Sequence, residues 1–155
     1  MFETIVWATD GSDLAEHALP YAQELARMRH ARIVAVHANE VLVGRSGGAP
    51  LLADEPDVRA GIRERIAELR AEGFDVDLEI VDGHASVAEL IAAAARARGA
   101  DLIVVGTHGE SGFKAALLGG VTRRLLQIAR CPVLAVPPAR SESPKPRESE
   151  LVGSV

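Results

Sequence analysis

The chain has 155 residues, 48% of them hydrophobic, and a formal net charge of −5. That length and apolar content suit one domain with one buried core and exclude two full domains. The acidic balance argues against non-specific binding to DNA or an anionic membrane, which needs basic surface. A single cysteine, Cys131, excludes a disulfide framework and multi-cysteine metal sites, so a reducing compartment, the cytoplasm, is expected. The N-terminus carries Glu3 and lacks the basic-then-apolar plan of a signal peptide, and no apolar run approaches the ~20 residues that cross a bilayer.

Thr4 to Ala8 reads as a first strand that stops at Thr9-Asp10-Gly11-Ser12. A helix should follow, capped by Ser12 or Asp13, with Leu14, Ala18, Tyr21 and Leu25 at helical spacing and its end near Met28. Arg32 to Ala38 contains the β-branched run of a central parallel strand. Asn39 to Ala53, with its Gly44 to Pro50 segment, is expected to be a long mobile loop. A second helix is expected over Glu55 to Glu72, capped by Asp54 and burying Val58, Ile62, Ile66 and Leu69.

In Phe74 to Ile80 apolar and acidic residues alternate, which predicts an edge strand with one wet face. Ser86-Val87-Ala88-Glu89 has capping-box spacing and opens a helix through Arg98 that Gly99 closes. Leu102 to Val105 is a buried strand, a helix is expected around Val121 to Ala129, and Pro132 to Val136 is the last strand. The expected domain is residues 1–138, with 139–155 a disordered tail of Ser, Pro and charged residues.

Alternating strands and helices require right-handed crossovers and a parallel sheet covered on both faces. The predicted fold is therefore α/β, a doubly wound five-stranded parallel sheet of order 3-2-1-4-5 with helices on both faces. The ends of the first and fourth strands then meet at the switch point, where ligands of open α/β sheets bind. Two strand-to-helix turns converge there: Thr9 to Ser12, and Gly106 to Gly112 continuing to Gly119-Gly120-Val121-Thr122. Free N–H groups and the helix dipole at Gly119 to Thr122 favour an anion, Thr122 adds a hydroxyl and Lys114 a cation. Neither the P-loop pattern nor the dinucleotide glycine pattern occurs.

The spacing is Gly106, two residues, Gly109, nine residues, Gly119. With Val6 to Ser12 and Arg130 to Val136, it makes residues Glu3 to Pro137 resemble the universal stress protein family. The resemblance implies a Rossmann-like fold that binds ATP, which Mg2+ can accompany, and a cytoplasmic homodimer that regulates stress responses. The binding residues it implies are Ala8, Thr9, Asp10, Ala38, Val105, Gly106, His108, Gly109, Gly119, Gly120, Val121 and Thr122, with Asp10 at the adenosine. One position departs: the family's ATP-binding pattern usually has Ser or Thr after the last glycine, where this chain has Gly120.

Bland readings stand beside these. Asp10 can also cap the first helix or its turn, a role that coexists with binding, the glycine loop can also form a tight turn without ligand, and a dimeric interaction module without nucleotide is the alternative. Ser111, His108 and Asp10 make no catalytic triad, because nothing in their spacing sets a base on a nucleophile; at most slow ATP hydrolysis is expected. Histidines 17, 30, 37, 84 and 108 show no zinc-type pairing, and Cys131 before Pro132 is expected to pack rather than react. The last strand, Val133 to Val136, has no polar alternation, so pairing with a second copy is expected to cover it.

Overall fold

The computed structural model describes residues 1–42, 51–52, 56–108 and 118–139. In chain order these form β1 (Thr4–Ala8), α1 (Asp13–Glu16), α2 (Leu19–Arg29), β2 (Arg32–Leu42), β3 (Leu51–Leu52) and α3 (Pro56–Ala71). There follow β4 (Val76–Gly83), α4 (Val87–Ala97), β5 (Leu102–Gly106), α5 (Gly120–Ile128) and β6 (Val133–Val136). Five strands run parallel in the order β4-β2-β1-β5-β6, the predicted doubly wound arrangement.

Alternation along the strands divides the core between the two faces. Ile5, Trp7, Ile33 and Ala35 point to one side, where α2 and α3 cover them with Leu19, Ala22, Ile62, Ile66 and Leu69. Val6, Val34, Val36, Ile103 and Val105 point to the other, under Ala88, Ile91, Ala94 and Ala95 of α4 and Leu125 of α5. The buried Trp7 indole does not go unsatisfied, because its Nε1–H donates to the Ala15 carbonyl at 3.1 Å. The box at the start of α4 forms as its spacing predicts: Glu89 N–H donates to Ser86 Oγ, and Ser86 N–H donates back to the Glu89 carboxylate. Gly99 then takes a φ of +62° just past the helix end.

Three sequence expectations are corrected. The helix expected from Asp13 to Met28 is two helices, α1 and α2. Pro20 sits in the first turn of α2; lacking an N–H and crowding the residue before it, it begins a helix and cannot continue one. The break shifts the buried stripe to Ala18, Leu19, Ala22 and Ala26, and Tyr21 is 53% exposed. Second, Asn39 to Leu42 belongs to β2 and not to a loop. Asn39 and Glu40 pair with Asp82 and Gly83, so the neighbouring strand carries β2 past its first polar residues. Val41 and Leu42 then pair antiparallel with Leu52 and Leu51, within the stretch expected to be loop.

Third, the strand expected over Phe74 to Ile80 is β4, Val76–Gly83, because the Phe74 N–H closes the end of α3 on the Leu69 carbonyl. Its acidic side chains are paired: Asp77 and Glu79 meet Arg98 at 3.2 and 2.7 Å. The predicted tail falls outside the described residues from Arg140 onward, as do Asp54 and the Gly44 to Pro50 segment.

The start of β1 is tied to the turn before β5 by Asp101, whose Oδ2 accepts the N–H groups of Glu3 at 2.8 Å and Thr4 at 3.0 Å. These two bonds hold the Asp101 carboxyl below its ordinary range. A depressed carboxylate pKa adds stability above the unfolded value, and that stability is lost as pH falls through the folded value. Thermal melts between about pH 5 and 3 should therefore fall more steeply for the parent than for Asp101→Asn, which carries no charge to lose. Equal slopes would remove Asp101 from the acid response.

Candidate functional site

β1 and β5 lie side by side, with Ile5, Val6 and Trp7 opposite Leu102, Ile103 and Val104. From β1 the chain turns through α1 to α2 on one face, and from β5 it leads to α5 on the other, so a crevice opens between the two strand ends. It holds a cavity of about 160 Å³. Small side chains make the room: Ala8 and Ala38 stand where the same face carries Val6, Val34 and Val36 deeper in the sheet. With Val105, Val87 and Ile91 they form an apolar floor.

The rim is polar. Asp10 Oδ1 accepts the Ser12 N–H at 3.0 Å and the Ser12 hydroxyl, and Ser12 Oγ in turn caps α1 by accepting the Ala15 N–H. Thr9 Oγ1 accepts the Gly11 N–H at 3.0 Å, and the buried His37 ring donates from Nδ1 to the Thr9 carbonyl at 2.9 Å. These contacts set the end of β1 and aim Asp10 at the cavity it lines.

Opposite, Gly119 caps α5 without a side-chain bond, and no acidic residue occupies the first turn. The helix opens toward the cavity with Gly120, Val121 and Thr122, whose amides precede any carbonyl four residues back within the helix. That is a partial positive charge with donors attached. Gly119 N–H donates to the Thr107 carbonyl at 2.7 Å, and Thr122 Oγ1 donates to the Gly106 carbonyl at 2.7 Å. Thr122 therefore bolts α5 to the end of β5, its hydroxyl hydrogen committed to the protein. Thr122→Val, removing a bond in a residue 2% exposed, should cost about 1–2 kcal/mol in urea unfolding.

Gly109 lies outside the described residues, as do Ser111 and Lys114. All the other residues implied at the site meet around this cavity: Ala8, Thr9, Asp10, Ala38, Val105, Gly106, His108, Gly119, Gly120, Val121 and Thr122. Sequence reasoning missed Val87, Ile91 and Ala15. The first two had a signal, since Val87 and Ile91 are one turn apart at the start of a helix whose box marks where it begins. Cys131 packs half-buried against the α4 and α5 core, and burial, followed by the Asp101 charge, pushes its thiol pKa up.

Residues 1–137 match the universal stress protein family. The chain belongs to that family. A universal stress protein of Thermus aquaticus is 34% identical over 145 residues, covering 88% of this chain and 99% of the relative. One of Bacillus subtilis is 29% identical over 147 residues, with the same coverage of 88% and 99%. Among solved structures, a family member from Burkholderia pseudomallei is 32% identical with a TM-score of 0.62, covering 88% of this chain and 96% of its own. A universal stress protein solved in complex with cAMP is 26% identical with a TM-score of 0.65, covering 87% and 96%. Among the described residues of this member of the family, no helix is long and apolar enough to cross a membrane.

Proposed function

We propose that this universal stress protein binds an adenine nucleotide, ATP, in the crevice between β1 and β5, and acts in stress response as a nucleotide-dependent regulatory homodimer. One observation carries the reading: a single cavity joins an apolar floor to the positive end of α5, whose first turn carries no acidic residue. The floor of Ala8, Ala38, Val87, Ile91 and Val105 suits a purine, Asp10 offers acceptors to a ribose hydroxyl, and the Gly120 to Thr122 amides suit phosphate oxygens. The cAMP complex of a relative supports an adenine ligand.

Bound ATP brings polyphosphate charge, with Mg2+ as its counter-ion. The protein's part is to orient it and shield it from water; at most slow hydrolysis accompanies binding. Calorimetric titration with ATP and Mg2+ should give saturable binding at one site per chain, and no heat at millimolar nucleotide would overturn the proposal.

The homodimer is read from β6. Among the described residues β6 pairs only with β5, its Val133, Leu134 and Ala135 are half-buried, and Leu126, at 51% exposure, stands on the adjoining α5. An apolar edge strand of this kind needs a cover. Sedimentation equilibrium should return twice the chain mass for the parent, and a monomer would end the dimer reading. Gly120 favours a second reading, a nucleotide-free dimeric interaction module, since it lacks the hydroxyl expected there.

A further inference from the structure

The Arg130-Cys131-Pro132 run, part of a segment that carries the family resemblance, takes no part in the crevice. It joins α5 to β6 at the opposite end of the sheet, where the Ile103 N–H donates to the Pro132 carbonyl at 2.9 Å. A second cavity, of about 250 Å³, opens there between this run and the last turns of α4. Ala92, Ala95 and Arg96 share one face of α4, being three and four residues apart. The two alanines leave depth over Ile103, and Ala100 extends this apolar floor.

The charge on the wall is one-sided. Arg96 and Arg130 line the cavity, no acidic residue does, and neither arginine has an ion pair or side-chain hydrogen bond among the described residues. Arginines at other cavities are engaged: Arg65 with Glu16 and Glu68, and Arg27 over the Phe74 ring. Burial and then the Asp101 charge raise the Cys131 thiol pKa, but the Asp101 carboxylate is taken by the Glu3 and Thr4 N–H groups and stays off the wall. The negative end of α4 lies at the same rim and is worth about half a charge. Its Ala94, Ala95 and Arg96 carbonyls already accept the N–H groups of Arg98, Ala100 and Gly99, so the two full guanidinium charges prevail.

We infer that this cavity is a second ligand site, for an oxyanion, carboxylate or phosphate, carried on a short apolar body. Arg96 and Arg130 hold the oxyanion with forked N–H groups that match carboxylate and phosphate oxygens, and the alanine and isoleucine floor takes the body. Neither half suffices alone: a bare anion leaves the floor wet, and a neutral body leaves the guanidinium groups in water. The site stands apart from the crevice and does not depend on the nucleotide reading. Cys131, the chain's single thiol, lines it and serves as a reporter.

The test follows iodoacetamide alkylation of Cys131 by mass spectrometry, in the parent and in the double variant Arg96→Gln, Arg130→Gln. Both arginines are exposed, so their replacement leaves the core intact. Hexanoate, hexyl phosphate, hexanol and acetate are added in turn. Hexanoate, hexyl phosphate or both should slow alkylation about tenfold at about 10 mM, the protection given by a millimolar site. Hexanol and acetate should not protect, and the double variant should lose the protection. The anion that protects better identifies the head group. No protection by either amphiphilic anion, or equal protection by hexanol or in the double variant, overturns the inference.

A second readout needs no added ligand. Iodoacetate is itself a small carboxylate, so the arginines should raise its rate relative to neutral iodoacetamide, and the double variant should lower that ratio about tenfold. Any change in the thiol pKa affects both reagents alike and cancels in the ratio. An unchanged ratio would show that Arg96 and Arg130 do not draw an anion to this wall. ATP alone should leave the alkylation rate as it is; protection by ATP that survives in the double variant would assign the signal to the crevice and end the proposal of a separate site.

Discussion

Gly120→Ser should tighten ATP binding by about tenfold, the worth of one added charge-assisted hydrogen bond. Gly120 is the first residue of α5, and a Cβ built there meets nothing within 4 Å. Its φ is not in the left-handed region, so serine adopts the same backbone without strain. The hydroxyl would enter the first turn beside the amides of Val121 and Thr122, where the helix dipole favours a negative partner.

Gly120→Ala is the control. It shares any gain from a less flexible unfolded chain but adds no donor, so calorimetry should find its ATP affinity at the parent value. Serine binding no better than alanine would show that no phosphate oxygen comes within reach of position 120. A parent that binds no ATP, beside a serine variant that does, would favour the interaction-module reading and identify Gly120 as the residue that turned binding off.

Much of this was legible because the signals are local. The Ser86 to Glu89 box, the stripe Ile62, Ile66 and Leu69, and the buried runs of β1 and β5 are set by neighbours in sequence, and each formed as read. The strand order followed from the α/β alternation, and with it the position of the crevice. What failed was decided across the fold. β2 continues through Asn39 and Glu40 because β4 lies beside it, a pairing with no trace in residues 39 to 42. The break at Pro20 was local and was still missed, because a helical period was fitted through a residue that can only begin a helix.

The site divides in the same way. Glycine spacing and the turn after β1 pointed to the strand-end residues, whereas Val87 and Ile91 reach the floor only because α4 crosses that face of the sheet. Thr122 was read as a ligand donor. Its hydroxyl is aimed instead at a carbonyl sixteen residues earlier, a contact that exists only once β5 and α5 are side by side.

Gly106→Ala should have the opposite outcome to Gly120→Ser, although both glycines flank one loop. A Cβ at Gly106 would stand 3.0 Å from the Leu14 carbonyl oxygen and 3.4 Å from that of His108. Both are backbone atoms, so no side chain can rotate away. Leu14 is held in α1, which Ser12 caps, and His108 follows directly from the strand end, so relief requires α1 or the β5 turn to shift. Overpacking against main chain costs about 1–3 kcal/mol, which urea unfolding would register.

Ligand binding should suffer more than stability. The Gly106 carbonyl is the acceptor that bolts Thr122, and a displaced β5 end moves the first turn of α5 away from Asp10 across the crevice. Donors aimed at an anion lose most of their value within an ångström of misplacement. ATP affinity should therefore fall by about a hundredfold in a variant that is still folded at room temperature. A Gly106→Ala protein with parental ATP affinity would mean that α1 yields freely, and that the close approach of Leu14 to the strand end is packing alone.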